Sequence, residues 1–155
     1  MRFRITALPR EPFAAYFDMD DEQLRARGAK RCIADRRPGF PCRVSLADAE
    51  PGERVVLLPF THQPADSPYR ASGPIFVREA ARQAALEVNE IPELLRLRPL
   101  SVRAYDTGAL MAGADVVDGR ELEPLVARLF SDPGVAYLHV HFARPGCYAC
   151  RVDRA

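Results

Sequence analysis

Hydrophobic and polar residues alternate over several short stretches of the chain, a pattern typical of half-buried β-strands. The run Arg54–Phe60 is apolar without alternation, which indicates a strand buried on both faces. The turn Asp106-Thr107-Gly108 lies between two alternating stretches and predicts a hairpin. The other predicted strands are 2–8, 29–35, 42–46, 75–78, 100–105, 110–117, 135–142 and 147–152.

Helical features are fewer. Asp18 or Asp20 is a candidate cap for a short helix that ends near Arg27, and Glu79–Glu90 has a helix-favouring composition. Asp118 precedes apolar residues at helical spacing. Pro124 would clash within a regular helix, so we expect the helix to begin near Glu123. It runs to Ser131, where Asp132-Pro133-Gly134 stops it. Residues 92–98 form at most a short helix. The element order lacks βαβ alternation, so it predicts an α+β fold with a mostly antiparallel sheet and two or three helices packed on it.

Length and composition favour one domain over residues 1–155, because the chain has 155 residues and 48% are apolar. A formal net charge of +1 gives no reason to expect nucleic acid or an anionic membrane as a partner.

The chain has no apolar run of about 18 residues and no apolar block at its start, so we expect a cytoplasmic protein with reduced cysteines. We also expect no cofactor. Lys30 is the only lysine among 22 basic residues, so the cations are guanidinium forks suited to carboxylates or phosphates.

The densest group of polar side chains is the predicted loop 61–74, which lies between two apolar strands and contains three prolines. Prolines restrict the backbone, so this loop can hold side chains in fixed directions. We therefore predict a binding site for a small molecule or anion, with Arg78 or a side chain from the last two strands as a wall. A capped turn sealed onto the sheet would explain the same residues. The candidate ligand-binding residues are His62, Asp66, Tyr69, Arg70, Ser72 and Arg78.

A second group has the spacing His-x-His followed by Cys-x-x-Cys, at His139, His141, Cys147 and Cys150. This spacing is found in zinc and redox sites. The two cysteines are oddly spaced along a predicted strand, however, so they would face opposite sides. We expect no metal here, and buried thiols with histidines on a sheet face. Cys42, with His62 or His139 nearby, is a weaker candidate nucleophile.

Four segments of the chain carry a family resemblance: 38–43, 62–74, 73–79 and 144–147. Together they resemble an uncharacterised bacterial family, domain-of-unknown-function family 1203. The block from His62 to Glu79 is the most specific part, and Ala143–Cys147 is next. The resemblance implies a bacterial protein of one domain, and it implies neither a reaction nor a set of metal ligands.

Three functions follow as expectations. The first is a small-molecule or anion-binding protein, with or without catalytic activity, that uses the loop 61–74. The alternative is a non-catalytic interaction domain that forms a homodimer through a sheet edge. A zinc-binding protein is the third.

Overall fold

The computed structural model describes residues 1–155 and shows an α+β fold with two antiparallel sheets. The strands are β1 (Phe3–Thr6), β2 (Lys30–Ile33), β3 (Arg54–Gln63), β4 (Ala71–Arg78), β5 (Pro99–Tyr105), β6 (Met111–Asp118), β7 (Tyr137–Phe142) and β8 (Tyr148–Arg154). The large sheet has the strand order β1-β8-β7-β5-β6, and the small sheet has the order β2-β3-β4. The α-helices are α1 (Asp21–Ala26), α2 (Glu93–Arg96) and α3 (Leu122–Leu129), and 3-10 helices lie at Glu11–Asp18 and Gly119–Glu121.

The fold class confirms the predicted α+β arrangement, but the antiparallel strands form two sheets rather than one. The β3–β4 hairpin pairs with β2 through Lys30–Ile33, and Phe76 of β4 forms one isolated bridge with Cys42. Beyond that segment Pro59 lies opposite Pro74. Proline has no backbone amide to donate to a further strand, so no third strand pairs with this part of the hairpin.

The large sheet buries one face against α2 and α3. Leu138, Val140 and Phe142 alternate with the histidines of β7 and point into an apolar cluster of 22 buried residues. Helix α3 adds the predicted stripe, with Leu122, Leu125, Val126 and Leu129 buried. Pro124 is accommodated because it lies in the first turn, where backbone amides have no intrahelical partner.

The opposite face of the large sheet is aromatic and polar, and the end of the β3–β4 hairpin covers it. The Gln63 side chain donates from Nε2 to the Tyr137 hydroxyl at 2.9 Å, and the Ser67 hydroxyl donates to the Ala109 carbonyl at 3.0 Å. These bonds anchor the hairpin end to β7 and to the β5–β6 turn. The two sheets therefore meet across a layer of polar side chains.

The small sheet has its own apolar cluster, which includes Phe13, Leu24 and Leu58. Leu24 comes from α1, where Asp20 and Gln23 form a reciprocal capping box. This confirms the predicted short helix and its Asp20 cap. None of the helices in the structure has the length and apolar character needed to cross a membrane.

Two predicted elements are wrong. Residues 42–46 form turns with isolated bridges instead of a strand, and Leu46 has a left-handed backbone with φ of 47°. Residues 79–90 are not helical, because their amides bond to distant carbonyls: Ala84 to Val44, and Asn89 to Phe3. In both segments, contacts with remote parts of the chain outweigh local preference.

Candidate functional site

The predicted loop 61–74 is mostly strand. β3 continues to Gln63 and β4 begins at Ala71, so only residues 64–70 connect them. The pairs Thr61 with Ser72 and Gln63 with Ala71 extend the hairpin, and the hydroxyls of Thr61 and Ser72 lie 2.8 Å apart. A predicted irregular loop is thus replaced by a regular hairpin with a short tip.

The predicted ligand residues lie in different surroundings. Asp66, Tyr69, Arg70 and Ser72 are exposed, and Arg70 donates to the Pro64 carbonyl at 2.5 Å. Arg78 forms an ion pair with Glu53, in which Nη2 lies 2.7 Å from Oε1. Of the six, only Ser72 lines a cavity. The loop site stays a prediction, and the structure brings only His62 into a dense polar cluster.

That cluster contains all three histidines of the chain. The His62 ring centroid lies 5.0 Å from that of His141 and 6.2 Å from that of His139, and the ring stacks on Tyr148 at 5.4 Å. His62 is the extra residue of a β-bulge, since Thr61 pairs with Ser72 and Gln63 with Ala71. A bulge redirects the side chain it carries. This one places His62 over the β7 histidines.

The histidines are neutral bases. Burial lowers the pKa of His139 to about 3 and that of His141 to about 4, and it also lowers the pKa of His62. Nearby cations, mainly Arg103, act in the same direction. Four ring nitrogens in the cluster are buried without a hydrogen-bond partner, whereas His141 Nδ1 lies 3.1 Å from the Gly146 carbonyl and donates to it. The cluster therefore resists protonation.

The less favoured grouping of the two β7 histidines with Cys147 and Cys150 is not found, because Cys150 lies on the opposite face of the sheet. Cys150 pairs with Val140, whose side chain points to the apolar face, while His139 and His141 point to the polar face. Burial raises the pKa of Cys150 to about 12. No set of three or more histidine, cysteine or acidic side chains has the arrangement of a metal site. Cys42 is also fully buried, which leaves its thiol without access to a substrate.

A cavity of about 540 Å³ lies beside the β7–β8 turn and has no histidine in its wall. Four arginines contribute to its wall, together with proline, phenylalanine and leucine side chains and one cysteine. No acidic residue and no histidine lines it. The lining residues are Arg36, Pro38, Gly39, Pro41, Arg43, Leu57, Pro74, Phe76, Leu97, Arg98, Pro99, Phe142, Arg144, Pro145 and Cys147. We refer to it as the arginine cavity.

Arg43 is the most unusual residue of the arginine cavity, because only 2% of it is exposed. Its Nε donates to the Tyr148 carbonyl at 2.7 Å, and its Nη1 donates to the Pro41 carbonyl at 2.5 Å. Its Nη2 makes no hydrogen bond within the protein. Burial lowers the pKa of Arg43 to about 10, so the group is still a cation at neutral pH.

The other three arginines differ in their partners. Arg98 forms a two-point ion pair with the buried Asp48, at 2.9 and 2.5 Å. Arg36 pairs with the exposed Asp35 at 3.0 Å, and Arg144 is exposed with no ionic partner. Arg43 also has none, so the wall of the cavity has more positive than negative charge.

The arginine cavity was not among the sites predicted from the sequence. Nothing in the pattern around Arg43 shows that its side chain is buried, since the residues beside it predicted a strand with Arg43 on the polar side. One feature of the sequence is connected with the arginine cavity, namely the family resemblance. Segments 38–43 and 144–147, which carry part of the family resemblance, supply seven of the lining residues: Pro38, Gly39, Pro41, Arg43, Arg144, Pro145 and Cys147.

The fold and these sites define an α+β protein with two antiparallel sheets, a buried histidine cluster and an arginine-lined cavity. The chain belongs to the DUF1203 family, described as proteins of unknown function, whose profile matches residues 39–154. This confirms the resemblance seen in the sequence. No curated protein and no solved structure matches the chain.

Proposed function

We propose that this protein binds a small organic anion, a carboxylate or phosphate compound, in the arginine cavity. The observation that carries the proposal is the buried Arg43, a guanidinium in the cavity wall without a carboxylate partner. The class of ligand is the one expected from the sequence, a small anion. The proposed site is the arginine cavity instead of the loop 61–74.

The burial of the Arg43 charge has an energetic cost. A buried ion that lacks an opposite charge is unfavourable by several kcal/mol. Arg98 meets this requirement through Asp48, whereas Arg43 has only two carbonyl oxygens and the face of Phe142, 5.0 Å from its guanidinium carbon. An anion beside Nη2 would supply the missing opposite charge and would accept a hydrogen bond from it.

The dimensions of the arginine cavity favour a small molecule. Ligand pockets have volumes of roughly 300 to 1,000 Å³, and 540 Å³ falls within that range. Arg144, exposed and unpaired, would make a second contact with a doubly charged ligand. The proline and phenylalanine walls would cover its apolar part. A net charge of +1 gives no long-range attraction for a polyanion such as nucleic acid.

The test is a titration of matched ligands followed by thermal unfolding. Dicarboxylates and phosphate monoesters should raise the Tm, while uncharged amides and alcohols of the same size should not. At one hundred times its dissociation constant, a ligand adds about 2.7 kcal/mol to the stability of the folded state.

Variants locate the site. Arg43→Gln and Arg144→Gln should each weaken anion binding about tenfold or more, because charge-assisted hydrogen bonds are lost. Arg82→Gln is the matched control, since Arg82 is exposed and lies outside the arginine cavity. Arg144 is also exposed, so its variant keeps the test valid if Arg43→Gln does not fold. Anion affinities that are equal in the wild type, Arg144→Gln and Arg82→Gln would contradict the proposal.

A further inference from the structure

We propose that Cys147 exchanges with small anionic disulfides that enter the arginine cavity, which makes it a site of S-thiolation. This inference rests on the proposed function, because the same arginines would attract the reagent. It adds a reaction and a substrate class, low-molecular-weight disulfides that carry carboxylates.

The placement of Cys147 supports this role. It is partly exposed and lines the arginine cavity, directly before β8. Arg43 lines the same cavity, and its Nε donates to the carbonyl of Tyr148, the residue that follows Cys147. The buried guanidinium with its free Nη2 is an independent feature of the same wall.

The other cysteines provide the contrast. Cys42 and Cys150 are fully buried, so reagents cannot reach them in the folded protein. Cys32 is partly exposed on β2 and lines none of the four cavities. It is an internal control for a thiol outside the arginine cavity.

The side chains that line the arginine cavity favour a reaction that needs no proton donor. No carboxylate and no imidazole lines it, so no side chain there can give a proton to a poor leaving group such as an amide or alkoxide. Thiol–disulfide exchange needs no such donor, because the group that leaves is a thiolate. Arginine side chains would hold the carboxylates of the disulfide near Sγ.

The step balances without a further oxidant. The Cys147 thiol loses its proton to solvent, and its Sγ forms a bond with one sulfur of the disulfide. The sulfur–sulfur bond of the reagent breaks, and the second half leaves as a thiolate. The arginine cavity holds no second cysteine, so the mixed disulfide persists until an external thiol reverses the exchange.

The experiment compares two disulfides on the folded full-length chain: dithiobis(nitrobenzoate), which is a dianion, and dithiodipyridine, which is uncharged. The rate ratio of dianion to uncharged reagent is measured for Cys32→Ser, where Cys147 is the accessible thiol, and for Cys147→Ser, where Cys32 is. We expect the ratio to be roughly tenfold higher for Cys147, an effect typical of electrostatic attraction. Adding Arg144→Gln to Cys32→Ser should lower the ratio, and so should a competing dicarboxylate.

The outcomes separate the two proposals. If Cys147→Ser and the wild type both bind the dicarboxylate but the ratio is the same for Cys147 and Cys32, the exchange proposal is overturned and the proposed function stands. If the wild type binds no anion in the arginine cavity, the proposed function fails, whatever the thiol does. Peptide mass mapping of the modified wild type must place the first adduct on Cys147, and an adduct first on Cys32 would also overturn the exchange proposal.

Discussion

The guanidinium carbon of Arg43 lies 5.0 Å from the centre of the Phe142 ring. The guanidinium carbon of Arg98 lies 5.1 Å from the centre of the same ring, so two cations contact one aromatic side chain. Arg98 has Asp48 as a counter-ion, but Arg43 has none. A bound anion would relieve the repulsion between the two cations, and this is the physical basis of the proposed function.

The Arg98–Asp48 pair should be a strong contributor to stability. Asp48→Ala leaves Arg98 largely buried without a counter-ion, and it also removes the acceptor of the Gly39 amide. We expect the free energy of unfolding to fall by about 3 to 5 kcal/mol, the usual cost of breaking a buried pair. Urea denaturation measures this change.

The control is the exposed pair of Asp115 with Arg128, where both side chains are at least half exposed. Asp115→Ala should cost less than about 1 kcal/mol, because solvent screens surface pairs. Equal losses for the two substitutions would show that Asp48 and Arg98 are not held as the structure describes.

The histidine cluster predicts acid sensitivity. The folded pKa values of about 3 for His139 and 4 for His141 are lower than the unfolded value near 6.5, so the unfolded state binds more protons between these limits. Stability should therefore be full above pH 6.5 and should fall as the pH drops through 6 and 5 towards 4. Each histidine contributes a slope of up to about 1.4 kcal/mol per pH unit.

His139→Phe tests this prediction. Phenylalanine keeps an aromatic ring among Tyr105, Tyr137 and Tyr148, but it does not titrate. The dependence of the free energy of unfolding on pH between 4 and 6.5 should be shallower than in the wild type. An unchanged slope would mean that His139 is already protonated in the folded protein at these pH values.

Gly119 should be intolerant of any side chain. A Cβ atom there would lie 1.8 Å from the Leu95 carbonyl oxygen, which belongs to the backbone and has little freedom to move. Gly119→Ala should destabilise the protein by about 3 kcal/mol or more, because the 3-10 helix before α3 must separate from α2. Gly73→Ala is the control: no neighbouring atom lies within 4 Å of its Cβ position, so its thermal midpoint should stay close to that of the wild type.

Hydrophobic periodicity and turn residues predict the elements whose structure depends mainly on neighbouring residues in the sequence. The β5–β6 hairpin follows from alternation around a turn, and helix α3 follows from apolar residues at helical spacing. Residues 79–90 could not be predicted in this way, because their amides bond to Val44 and Phe3, far away in the sequence. Intrinsic helix preference is weaker than such tertiary contacts.

The candidate sites depended even more on distant contacts. His62 could be chosen as a polar residue near an apolar strand, but its contact with His141 requires the bulge in β3 and the approach of two sheets. The burial of Arg43 depends on turns that place it beside Phe142, about 100 residues later in the chain. Neither relationship leaves a periodic signal in the sequence.

The position of a bound anion tests the proposed role of Arg43 most directly. A crystal structure of the protein with its tightest-binding dicarboxylate or phosphate monoester would show that position. We predict one anionic group within hydrogen-bond distance of Arg43 Nη2, inside the arginine cavity. An anion bound only at another surface, with the arginine cavity empty at saturating ligand, would contradict it.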